Sequence, residues 1–132
     1  MTWSLSDQEY EGVLKAGAEK QYGYLVSRCA DWGEVWGLAI AGGEWAMMEG
    51  DDGARFAVWP HARYAEACRQ RDWSDREPTP IDVATFVDDL IPRLIDDNVG
   101  IAAFPLPDRR FTPVSPRRLR SDLEAELDRI GE

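Results

Sequence analysis

His61 is the chain's only histidine, and imidazole titrates near neutrality, so proton transfer and metal binding are the first chemistries to consider. It follows Trp59-Pro60 at an expected strand-to-helix junction, where loops often carry function. One histidine cannot build a His-rich metal site, and no cysteine stands at ligand spacing from it. A dyad with Cys68 would span i,i+7 on a helix, roughly 10 Å at ~1.5 Å per residue, too far for a direct hydrogen bond. Cys29 could reach it only through a tertiary contact. The preferred role for His61 is structural, at a helix N-terminus, with ligand binding second and catalysis last. Both cysteines read as small core residues on helix faces.

The acidic pairs Asp51-Asp52, Asp88-Asp89 and Asp96-Asp97 suggest cation sites or paired carboxylates. Neighbours in a helix do not face each other, which disqualifies the second and third. Glu49-Gly50-Asp51-Asp52-Gly53 lacks the alternating ligands and terminal Glu of a calcium loop. Gly42-Gly43 has no downstream Gly and Lys to cradle phosphate, and no serine stands in an elbow motif. The expectation is no catalytic residue, no metal and no cofactor.

Two constellations remain. Trp36, Trp45 and Trp59 fall on three successive expected strands; with His61 they form a candidate binding surface if they share a sheet face. The alternative is that they are core, since aromatics dominate core energetics, and register decides. Arg109, Arg110, Arg117 and Arg118 form a candidate anion-binding segment. Arg117, Arg118 and Arg120 would occupy the first turns of a helix capped by Ser115, where the dipole disfavours cations by ~0.3–1 kcal/mol each. Either acidic residues of the protein pair with them, or they meet an anionic partner near a helix N-terminus.

The elements that must position these groups follow from periodicity. Ser6 caps a helix to about Lys15, with Glu9 at N3 completing a capping box and Leu5 and Tyr10 forming a staple. After Gly17, the spacing of Ala18, Tyr22, Leu25, Val26 and Cys29 is one face of a second helix. From Gly33 the period changes to two: strands over 35–40, 45–49 and 56–59, with turns at 41–43 and 50–53, predict an antiparallel meander. Pro60 starts a helix bearing Tyr64, Ala65 and Cys68. Thr79-Pro80-Ile81-Asp82 reads as a helix start, followed by Val83, Phe86, Val87, Leu90, Ile91, Leu94 and Ile95 at spacings of three and four. Pro92 should kink or split that helix near Ile91, and Asn98 and Gly100 end it. Ile101–Phe104 reads as a short central strand, Phe111–Val114 as an edge strand. Ser115-Pro116 opens a last helix striped by Leu119, Leu123, Leu127 and Ile130. The fold class is α+β: one small domain over 1–132, a mixed, mostly antiparallel sheet of four to five strands with helices against it, in the order ααβββααβ(β)α.

The 132 residues, 44% of them hydrophobic, suffice for one core. The formal charge of −10 is uneven: net −10 over 1–104, +4 over 105–120 and −4 over 121–132. An acidic body argues against nucleic acid and anionic membranes as general partners. No run approaches the ~20 apolar residues of a bilayer span. MTWSLSDQEY has neither a basic nor an apolar signal region, so no signal peptide is expected. Two cysteines make no disulfide framework, and the expected setting is the reducing cytoplasm.

Trp32-Gly33-Glu34-Val35-Trp36-Gly37-Leu38, Trp45-Ala46-Met47-Met48-Glu49 and Val58-Trp59-Pro60-His61 with Tyr64-Ala65 resemble a bacterial family known as domain of unknown function 2750. Pro80-Ile81-Asp82 with Phe86, Leu90-Ile91-Pro92, Ala103-Phe104-Pro105 and Val114-Ser115-Pro116 with Leu119 agree, over about Tyr10 to Ile130. The resemblance implies fold and bacterial origin and brings no activity or cofactor. Size, acidity and Trp content are also similar in type to bacterial immunity proteins. The expected function is a non-enzymatic acidic protein-binding module for a basic protein partner. The alternative is a small-molecule sensor or small enzyme with a pocket near His61 and the tryptophans. An exposed edge strand leaves a homodimer open.

Overall fold

Ser6 Oγ accepts the Glu9 N–H at 3.1 Å and starts α1 (Asp7–Leu14) where the cap was expected. The box is not closed in return, because the Glu9 carboxylate turns to Tyr24 and Arg28 instead. The computed structural model describes residues 4–41, 43–50, 52–70 and 73–131; Gly42 of one expected turn and Asp51 of another lie outside them. After Gly17 comes α2 (Ala18–Trp32), which buries Gln21, Leu25, Val26 and Cys29. Gly33, at φ 73°, ends it by donating its N–H to the Cys29 carbonyl, a left-handed cap that a side chain would strain.

The chain then gives β1 (Glu34–Ala39), β2 (Met47–Gly50), β3 (Gly53–Val58), the short α3 (Ala62–Glu66) and β4 (Glu77–Asp82). A segment of α4 (Val83–Thr85), a π-helical turn (Phe86–Leu90) and α5 (Ile91–Asp96) forms one arm; β5 (Gly100–Ala103), β6 (Thr112–Val114) and α6 (Pro116–Gly131) complete the order. The arm breaks at Ile91, whose N–H reaches back five residues to Phe86, and Pro92 sits at the start of α5, as its missing donor requires.

The α+β class stands, with helices packed against sheet. Among the described residues, six strands form a four-stranded sheet, β2-β3-β5-β6, and a two-stranded sheet, β1-β4. The expected central strand β5 lies between β3, its parallel partner, and the edge strand β6. The expected meander is realised only in part. β2 and β3 pair antiparallel, but β1 meets them through single bridges, Ala39 to Trp45 and Trp36 to Trp59.

One element differs outright. Thr79-Pro80-Ile81-Asp82 is not a helix start but the end of β4, and Asp82 is the cap, accepting the Ala84 and Thr85 N–H groups. Two prolines are tolerated in β4 because of register. Pro80 faces Trp36 and Pro78 faces Leu38, whose backbone groups are turned the other way, to Trp59 and Ala46. No ladder bond is missing where the proline N–H is absent.

A single cluster of buried side chains runs from α2 through both sheets to α6. Leu119 and Leu123 are its contribution from α6; the expected stripe fades at half-buried Leu127 and ends with Ile130, 45% exposed.

Candidate functional site

The three tryptophans separate. Trp36 and Trp59 face each other across a bridge, exchanging N–H···O bonds of 2.9 and 2.8 Å, and both are buried. The Trp59 indole donates to the Pro105 carbonyl at 2.9 Å and meets Trp73 edge-on at 6.0 Å. Cys68 Sγ donates to that same carbonyl at 3.2 Å. The carbonyl is aimed there because Phe104 adopts φ 55°, a strained conformation for a bulky residue, with its N–H on Val58. Trp36 lies 6.4 Å from the His61 ring, and its indole N–H is buried without a hydrogen-bond partner among the described residues. His61 Nδ1 accepts the Arg63 N–H at 3.0 Å and so caps α3.

Trp45 stands apart from these. It is half-buried, its indole over Gly37 and 5.5 Å from the Phe56 ring. Gly37 is required there, because a Cβ would fall 2.8 Å from the indole carbons. Alternation along β2 sends Trp45, Met47 and Glu49 to one face, where the α4–α5 arm covers only part of the sheet. The remaining space is an open groove of about 580 Å³, within the range of ligand pockets. Trp45, Met47, Phe56, Leu90 and Leu94 supply its apolar surface. Glu49, Asp97 and Arg93 stand at the rim, exposed and in no ion pair among the described residues. Arg76 lines the same groove and pairs with Asp75 at 3.1 Å. Trp36, Trp59 and His61 do not line it. The Trp45-x-Met47-x-Glu49 alternation was a legible signal for the sheet wall; nothing local marked the opposite wall on α5.

The four arginines occupy four separate places. Arg109 lies 3.8 Å from the centre of the Trp73 ring and donates to the Gln70 carbonyl. Arg110 binds Asp108 at 2.7 Å; the Arg110 backbone N–H, first, and that side chain hold the Asp108 carboxyl below its usual range. Arg118 sits over Tyr22 and 3.6 Å from Asp122 one turn on, which offsets the unfavourable dipole. Arg117 is exposed beside Arg55 and forms no ion pair among the described residues. The ion pairs of Arg110 and Arg118 are local, made within the arginine segment and its own helix.

Neither cysteine is placed for nucleophilic work. Burial drives the Cys29 thiol far above its usual value and the Cys68 thiol up to about 11, so both stay protonated at neutral pH. Among the described residues, no three His, Cys, Asp or Glu side chains converge to hold a metal ion, and no helix is long and apolar enough to cross a membrane.

The chain is an α+β protein with a Trp-lined groove, and its fold defines its class. The chain belongs to the family described as Protein of unknown function (DUF2750), which matches residues 22–123. No curated protein and no solved structure matches it.

Proposed function

We propose that the protein is a non-enzymatic binding module whose acidic body receives a basic protein segment in the groove beside β2. One observation carries this: Glu49 and Asp97 flank an apolar floor and are exposed, without an ion-pair partner among the described residues. A lysine or arginine side chain fits that arrangement, its methylenes on Met47 and Leu94 and its charge at the carboxylates. The net −10 of the chain then steers a cation toward the groove.

The test compares immobilised wild-type chain with the Glu49→Lys/Asp97→Lys double variant in extract from the native host. The reading predicts a basic polypeptide retained by the wild type at low salt, released at high salt and not retained by the double variant. Equal retention by both chains overturns it.

A second reading places a small anionic aromatic ligand in the same groove. Arg93, exposed beside Trp45 and Leu94, favours it. A metabolite screen by thermal shift tests this reading: hits lost in Trp45→Ala and Arg93→Ala support it, and hits unaffected by both overturn it.

A further inference from the structure

The α1 helix is attached in an unusual way. None of its residues is buried, and its most specific anchors are polar or aromatic. Glu9 accepts the Tyr24 hydroxyl at 2.5 Å and Arg28 at 3.3 Å. Tyr10 stacks on Tyr64 with ring centres 5.1 Å apart. Arg63 pairs with Asp7 at 2.8 Å while its guanidinium lies 4.0 Å from the centre of the Tyr10 ring. Buried Gln21 closes the far end, its amide donating to the Val13 carbonyl at 3.0 Å. The surface beneath is continuous: Tyr64 donates to Tyr24 and stacks edge-on against Phe104 at 4.8 Å. It sits at the carboxyl ends of β3 and β5, the parallel pair, where open sheets commonly bind ligands. The family match begins at residue 22, beyond α1.

Contacts of this kind, two cations and two phenols gripping a carboxylate, a second carboxylate and a tyrosine, are those of a recognition site rather than of a core. We infer that Arg28, Arg63, Tyr24 and Tyr64 form a docking site for an acidic, tyrosine-bearing helix, that α1 fills it in cis, and that α1 of a second copy can replace it. The second copy is the occupant because the matching sequence, Asp7-Gln8-Glu9-Tyr10, is on this chain, and only Lys15, Ala16 and Gly17 separate α1 from α2. Exchange through such a short hinge produces a dimer in which each copy supplies Glu9 and Tyr10 to the other. The cis helix acts at an effective concentration of order millimolar, so the monomer prevails at ordinary concentration.

Complementation tests this with full-length chains. One variant, Asp7→Lys/Glu9→Lys/Tyr10→Ala, keeps the surface and spoils the helix; the other, Arg28→Ala/Arg63→Ala, keeps the helix and spoils the surface. Each alone is expected to be monomeric by sedimentation, and the mixture to form a 1:1 dimer through its one intact pair. A mixture that stays monomeric, with both chains folded by circular dichroism, overturns the inference. A gentler pair of measurements covers a variant that does not fold. A labelled peptide of residues 4–16 should bind the Glu9→Gln chain, by fluorescence anisotropy, at least about tenfold more tightly than the wild type, whose site is filled. Equal binding, or none to either, overturns it as well.

Discussion

Trp45 stands over Gly37 so closely that a Cβ on residue 37 would lie 2.8 Å from two carbons of the indole. The groove wall therefore depends on a glycine in the neighbouring strand. Gly37→Ala must move Trp45 or the backbone, at a cost of about 1–3 kcal/mol for overpacking. In a Trp45→Ala background the same change should be neutral or slightly stabilising, because alanine is less costly than glycine in a strand by roughly 0.5–1 kcal/mol. Urea titrations of the two single variants and the double variant measure the coupling; additive losses contradict the packing assigned to this pair.

Trp59 and Cys68 share one acceptor, the Pro105 carbonyl. Trp59→Phe should cost about 1 kcal/mol beyond the ring's lost volume, because the thiol still serves that carbonyl. Trp59→Phe with Cys68→Ala leaves it buried and unpaired, and the combined loss should exceed the sum of the singles by about 1 kcal/mol or more. A loss of unfolding free energy in the double variant that equals the sum of the single losses speaks against a shared acceptor.

His61 serves α3 as its cap, so a side chain that caps should replace it. His61→Asn is expected to hold stability within a few tenths of a kcal/mol, and His61→Ala to lose about 1 kcal/mol. Thermal unfolding of the two variants separates this role from a binding one: equal losses would mean that His61 does something other than cap.

Tyr22, Tyr24 and Tyr64 are all held above the ordinary phenol value, by burial first; for Tyr22 and Tyr24 the next cause is the hydrogen bond each donates to a carboxylate. Cys68 shares the sign, raised by burial from 9.0 to about 11. Folding favours the protonated forms, so their contribution is complete below the unfolded values and is lost as pH rises through the folded ones. Urea midpoints should be flat between about pH 7 and 9 and fall above about pH 10, and in a Tyr10→Phe chain tyrosinate absorbance should appear together with unfolding. Tyrosinate formed at its ordinary pH by an intact Tyr10→Phe chain would contradict the raised phenols of Tyr22, Tyr24 and Tyr64.

Where a local rule decides, the sequence was legible. Ser6, Gly33 and Pro92 act through their own backbone or one nearby amide, and each punctuates the chain where its chemistry requires. Thr79-Pro80 misled because the same residues that open a helix also suit an edge strand. Which applies depends on β1 turning its Trp36 and Leu38 backbone groups away from β4, a long-range fact. The tryptophans show the same limit. Periodicity placed Trp36, Trp45 and Trp59 on strands, but only register puts the first two on different environments, one against His61 and one over Gly37. The arginine segment was read as one feature; Arg109 and Arg110 turn to different partners in the loop, and Arg117 and Arg118 point to different neighbours on α6.

The central claim, that the groove beside β2 receives a basic protein segment, is tested most directly by placing a photo-crosslinking amino acid at Met47 in the groove and, as control, at exposed Glu124 on α6. The account predicts an adduct with a basic polypeptide from position 47 and none from position 124, with the adduct lost at high salt and in the Glu49→Lys/Asp97→Lys background. No adduct at position 47, or one that survives both changes, contradicts it.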